Sequence, residues 1–167
     1  MHTQAHPIHR VPSREQPHAQ FPEHDDCFAV RQAARHLSQL YERHLSAAGL
    51  TPTQFSILGA LGASGAQSVS GTSAPSLTMA QLARTMVMER TTLVRALRPL
   101  LRSALVTDTA GEADCRRRCL ALTPAGRARL GEARVHWRAA QDEFERRFGP
   151  RRAAWLRREL LRITRAV

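Results

Sequence analysis

Lysine is absent from the 167-residue chain, and all 25 basic side chains are arginine. Acids are few, 14 in all, which leaves a formal net charge of +11 at neutral pH. An excess of that size calls for a polyanionic partner, nucleic acid before an anionic membrane surface. No long hydrophobic run exists. The longest mostly apolar stretch, 57–63, falls far short of the ~20 residues that a membrane span needs, and the N-terminus lacks the apolar core of a signal peptide. Cysteine is scarce and odd in number, at three, which makes no disulfide framework and fits a reducing cytoplasm. These absences argue against a membrane protein, a secreted disulfide scaffold and a wholly disordered chain. Catalytic signatures are missing too. There is no Gly-rich phosphate loop, no His-Glu-x-x-His and no plausible Ser/His/Asp set, so neither an enzyme nor a cofactor is expected.

What is present falls into two parts. Residues 1–24 carry Pro7, Pro12, Pro17 and Pro22 among Gln and His, with few apolar side chains. Such a segment buries too little surface to offset its ordering entropy and reads as a flexible arm. Its five histidines, His2, His6, His9, His18 and His24, match no metal-ligand spacing. From Asp25 the pattern is helical. Cys27, Val30, Ala34, Leu37 and Tyr41 recur at three and four, which predicts one buried face, with Asp25 and Asp26 at the start and Gly49 at the stop. Thr51-Pro52-Thr53-Gln54 is a capping box with proline at the first helical position. Residues 62–76, rich in Gly, Ser and Ala, read as a mobile loop. Thr78-Met79-Ala80-Gln81 is a second capping box, opening a short helix to about Met86.

Residues 89–104 predict the most informative helix. Leu93, Leu97, Leu100, Leu101 and Ala104 fall on one side, while Thr91, Arg95, Arg98 and Arg102 fall on the other at i, i+4, i+7 and i+11. Pro99 removes a backbone donor inside this run, so the helix is expected to kink there or to end near Arg98. Residues 105–109 and 117–122 alternate as two short strands around an Ala110-Gly111-Glu112 turn. Thr123-Pro124 opens a long helix to about Phe148, Gly149-Pro150 breaks it, and a last helix carries Ala153, Leu156, Leu160, Ile163 and Val167 in heptad spacing.

The expected fold is mainly α: a winged helix-turn-helix with a two-stranded β wing and long terminal helices. The arginine-faced helix then suits a DNA major groove. Arginine fits there because its planar fork bonds two acceptors of guanine at once. Threonines near the helix start can bond phosphates or touch thymine methyls. Arg116, Arg117 and Arg118 near the hairpin tip suit the backbone or the minor groove. A solvated helix face and a membrane-surface or partner-binding module remain the alternatives, and neither needs a basic wing.

The chain resembles the MarR family of bacterial transcription regulators over about residues 25–167. The motifs are Tyr41-Glu42-Arg43-His44-Leu45 running into Gly49-Leu50-Thr51-Pro52-Thr53-Gln54-Phe55, then Glu89-Arg90-Thr91-Thr92-Leu93-Val94-Arg95, then Asp114-Cys115-Arg116 followed by Leu122-Thr123-Pro124-Ala125-Gly126. The resemblance implies that 50–123 form the DNA-reading winged helix. It also implies that 25–49 and 124–167 pair two subunits into a homodimer. Recognition roles carry to Arg90, Thr91, Thr92 and Arg95, with Arg98 added from the stripe. Asp114 is implied to orient Arg116, which enters the minor groove. Three positions depart from the family pattern: Ala104 stands for a helix-ending glycine, Leu101 for an acid and Asp108 for a basic residue.

Family regulators are released from inverted-repeat operators by a small molecule or by cysteine oxidation, so a cytoplasmic repressor with a small, aromatic effector is expected. His36, Tyr41 and His44 are its candidate pocket residues. His36 and His44 lie eight apart with no third ligand, so no metal is expected. The redox alternative rests on Cys27, at the position of the family's organic-hydroperoxide sensors, and on Tyr41 fourteen residues on, although the other sensor tyrosines are missing. The helix dipole favours a Cys27 thiolate, and Asp25 and Asp26 oppose it. Its bland counterpart is a small buried hydrophobe.

Overall fold

The computed structural model describes residues 25–64, 76–111 and 114–166. The 1–24 arm, most of the 62–76 loop and the 112–113 turn lie outside them, as do the side chains of 109–118 and 165–167.

Among the described residues six α-helices and a small sheet follow in the order α1 (Asp26–Leu45), α2 (Pro52–Ser64), β1 (Ser76–Thr78), α3 (Met79–Met86), α4 (Arg90–Arg102), β2 (Val106–Gly111), β3 (Asp114–Leu122), α5 (Pro124–Phe148) and α6 (Pro150–Ala166). Local chemistry sets most boundaries. The Asp25 carboxylate accepts the Phe28 N–H at 3.0 Å and starts α1. Both predicted capping boxes are closed. Gln54 N donates to Thr51 Oγ1 at 3.2 Å and Thr51 N to Gln54 Oε1 at 2.9 Å. Gln81 N and Thr78 N make the same reciprocal pair at 3.2 and 2.8 Å. Each satisfies donors that a helix start leaves open.

Three turns share one device. The chain leaves a helix through a left-handed residue whose N–H, with the next one, returns to the last turn. Gly49 does this at φ 64° after a short 3-10 turn, Ser46–Ala48. Val87 does it at φ 50°, with Met88 N on Ala83 O at 2.9 Å. Ala104 does it at φ 53°, with Leu105 N on Leu100 O at 2.9 Å. Only the first is glycine, so L residues carry left-handed backbone at Ala104 and, β-branched, at Val87.

The structure corrects four expectations. Of the two outcomes expected at Pro99, the early end is overturned: α4 runs on to Arg102, because Leu97 and Leu100 on either side of Pro99 are buried, and Ser103 returns its N–H and hydroxyl to the Pro99 carbonyl at 3.0 and 2.9 Å. Helix α2 continues through Ser64, so the loop starts later than its composition implies. The wing hairpin is joined by a third strand. The sheet order is β1-β3-β2, with Leu77 opposite Leu120 and Asp108 opposite Leu120 on the other side. The predicted buried face of α1 is open in its first half. Cys27 and Ala34 are exposed and Val30 is 46% exposed, while burial begins at Leu40. Tyr41 and His44 on its last turns meet Trp137 and Glu143 of α5. Helix α6 is similar, with Ala153 buried but Trp155, Leu161 and Ile163 about half exposed.

The core sits where α2, α3, α4, β3 and α5 converge, and it is built mainly of leucine, with Ile57, Leu61, Leu82, Leu93, Leu97 and Leu120 at its centre. Among the described residues none that is polar or charged is buried.

Relief of the two strained turns should stabilise the protein. Left-handed backbone costs an L residue ~1–2 kcal/mol. Val87→Gly and Ala104→Gly should therefore each gain about 1 kcal/mol after the added freedom of the unfolded glycine is subtracted. Gly126→Ala should do the opposite, since its Cβ would stand 2.0 Å from the Leu105 carbonyl oxygen. Urea unfolding midpoints check all three.

Candidate nucleic-acid interface

Helix α4 presents two faces. Leu93, Leu97 and Leu100 are at most 1% exposed, packed against α2 and α3. Arg90, Thr91, Thr92, Arg95, Arg98 and Arg102 are all exposed. Rotation of α4 about its axis would move leucine into water at roughly 1.5–3 kcal/mol per side chain, so the arginine face is held outward. Helix α3 crosses behind it through a three-residue turn, Val87-Met88-Glu89. Arg84 on α3 is exposed as well. Sequence periodicity passed it over because one arginine on an eight-residue helix makes no stripe.

The wing is fixed to the end of α4 by one side chain. Thr123 Oγ1 donates to the Ala104 carbonyl at 2.7 Å and accepts the Gly126 N–H at 2.9 Å. Its own N–H reaches the Leu105 carbonyl at 3.1 Å. Arg127 Nη1 adds a bond to the Leu122 carbonyl at 2.9 Å. The run Leu-Thr-Pro-Ala-Gly is thus a clamp. Threonine caps α5 and holds the left-handed turn, and Gly126 leaves room for the backbone of Leu105. The backbones of Asp114, Arg116, Arg117 and Arg118 lie on β3; their side chains lie outside the described residues. Behind α4, Asp108 lines a cleft of about 260 Å³ with Arg90, Arg98, Val94, Leu101 and Met79.

The effector and redox candidates lie elsewhere. Tyr41 stacks obliquely on Trp137 at 4.3 Å between ring centres, and Phe55 stacks flat on the same indole at 4.4 Å. Burial raises the Tyr41 hydroxyl above its ordinary pKa; Arg157 opposes this and Glu145 adds to it. His44 Nε2 meets Glu143 at 2.8 Å, beside Arg147 at 2.7 Å and Arg43 at 3.8 Å. His36 is exposed. The structure therefore brings Tyr41 and His44 to the α1–α5 contact and leaves His36 out of it. Cys27 is exposed in this chain, not a buried hydrophobe. Fourteen helical residues separate it from Tyr41, about 21 Å, so the two cannot meet within one chain. Glu143 went unnoticed in the sequence, since its partner His44 lies 99 residues away on α1.

The MarR family's sequence model matches residues 48–117. MosR, a transcriptional regulator of M. tuberculosis solved in complex with DNA, is 38% identical and superposes with a TM-score of 0.68, covering 85% of this chain and 95% of that one. The chain belongs to the MarR family of transcriptional regulators. Two other structures agree with this MarR fold. A probable transcriptional regulator from Pseudomonas aeruginosa is 27% identical over 84% of this chain and 97% of that one, with a TM-score of 0.71. CouR, a transcriptional repressor bound to a 23-mer DNA duplex, is 25% identical over 83% and 92%, with a TM-score of 0.71. No curated protein matches the chain. As a MarR regulator the protein is not an enzyme, and no helix among its described residues is long and apolar enough to cross a membrane.

The α1–α5 latch makes an acid-limb prediction. The His44 hydrogen bond, ahead of Arg147 and Arg43, holds the Glu143 carboxyl below its ordinary value of 4.5. A depressed carboxylate stabilises the fold above that value, and the contribution is lost as pH falls through the folded pKa. Glu143→Gln should therefore flatten the decline of stability below pH 4.5. Unfolding midpoints across an acid series measure this.

Proposed function

We propose that this regulator acts in the cytoplasm as a homodimeric repressor on an inverted-repeat operator, with one α4 in each of two successive major grooves and the wings on the flanking minor grooves. The observation that carries the reading is the exposed Arg/Thr face of α4, backed by buried leucine. The open face of α1 and the half-exposed Trp155, Leu161 and Ile163 of α6 support pairing of these helices between two copies, because such apolar surface is a liability in a monomer. Release by a small effector follows from that pairing, since a ligand that alters the set of α1 against α5 changes the spacing of the two recognition helices.

Arg95→Ala should relax sequence preference at one base pair and cost ~1–3 kcal/mol. Arg116→Ala should cost affinity mainly where the minor groove is narrow and A·T-rich. Both are read by fluorescence anisotropy on specific and scrambled duplexes. Sedimentation should give twice the chain mass. A monomer that binds the palindrome with full affinity, or two variants that bind like the parent, contradicts the assignment.

A second reading, organic-hydroperoxide sensing, is favoured by the exposure of Cys27. It requires Tyr41 of a second copy, given the separation along α1. Cumene hydroperoxide should then release the parent but not Cys27→Ser from DNA; intact complexes with unmodified Cys27 in both would end this reading.

A further inference from the structure

At the foot of the wing, where α2, β3 and α5 meet, lies a second cleft of about 230 Å³, lined by Leu61, Gly62, Leu122, Arg127, Leu130 and Arg134. Arg127, Leu130 and Arg134 follow at i, i+3 and i+7 along α5, which puts them on one helix face. Among the described residues neither arginine has an acidic partner. Arg127 gives one donor to the Leu122 carbonyl, and Arg134 is exposed with no side-chain hydrogen bond or ion pair. Between 122 and 134 the single acid is Glu132, which pairs with Arg129 at 3.4 Å, and 61–78 contains no acid. Two guanidiniums beside a partly desolvated apolar floor attract an anion more strongly than they would in open water, and their planar forks match a carboxylate. The floor is Leu61, Leu122 and Leu130. It has no ring to stack on, so it suits an alkyl body. An apolar cavity of about 150 Å³ holds benzene, so the space admits a short chain. Gly62 keeps that space open, because a Cβ there would stand 3.1 Å from Leu130 Cδ2 and 3.5 Å from Leu122 Cδ1.

We infer that this cleft binds a short aliphatic carboxylate, its head on Arg127 and Arg134 and its chain on the three leucines. The inference rests on the effector-released reading and deepens it, because Arg127 also holds the last carbonyl of β3. A carboxylate that draws the guanidinium away from Leu122 loosens the foot of the wing, so that ligand and DNA favour different settings of one side chain. The site is separate from the Tyr41–Trp137–Phe55 stack and from the His44–Glu143 pair.

The test uses the full chain with hexanoate as the probe and hexanol as its uncharged counterpart. Hexanoate binding is measured by calorimetry on free protein, and DNA affinity is measured separately with and without hexanoate. Arg134→Gln, an exposed change, should weaken hexanoate at least tenfold with the thermal midpoint unchanged. Gly62→Ala should weaken it while leaving both charges in place. Hexanol should not bind measurably. Failure of the parent to bind hexanoate, or equal binding by Arg134→Gln, overturns the site, while DNA binding without ligand still judges the regulator reading alone. Arginine-dependent binding that leaves DNA affinity unchanged upholds the site and overturns its coupling to the wing.

Discussion

The structure depends on the burial of one side of α4. Leu93, Leu97 and Leu100 are almost fully withdrawn from water, and they reach the core only if Thr91, Arg95, Arg98 and Arg102 face out. Positive charge at those positions costs nothing in the core and gains no partner within the chain's described ion pairs, which belong to α1, α5 and α6. The same leucines carry α4 past Pro99, where backbone hydrogen bonding alone would end it. A regulator that reads DNA with a helix needs that helix held rigidly from behind, and here the hold is hydrophobic.

The second constraint is the position of the wing relative to that helix. Thr123, directly after β3, ties the turn that ends α4 to the first turn of α5 through hydrogen bonds of its hydroxyl and its backbone. It fixes the angle between α4 and the wing, the two parts proposed to contact DNA. Ala104 tolerates its left-handed turn because its carbonyl is held by that hydroxyl. Arg127 extends the clamp to the Leu122 carbonyl at the end of β3.

Much of this was legible because its causes are local. The capping boxes at Thr51 and Thr78 act over three residues, and the two faces of α4 follow from periodicity. The motifs from Glu89 to Gly126 carried the family. What sequence could not supply depends on distant partners. Strand β1 is three residues beside a Gly/Ser-rich stretch, and it exists only by pairing with β3 some forty residues on. Thr123 and Ala104 are 19 apart, and His44 and Glu143 are 99 apart. The open face of α1 illustrates the converse. Periodicity reports that a face is apolar, not whether the same chain covers it.

The central claim is that the outward face of α4 reads the major groove in two copies. Guanine N7 lies in that groove, so methylation interference on a bound operator tests it directly. The account predicts that N7 methylation abolishes binding at two guanine clusters about 10 base pairs apart, and that Arg95→Ala relieves the block within each cluster. Interference confined to adenine N3 in the minor groove, or a single unrepeated cluster, would contradict it.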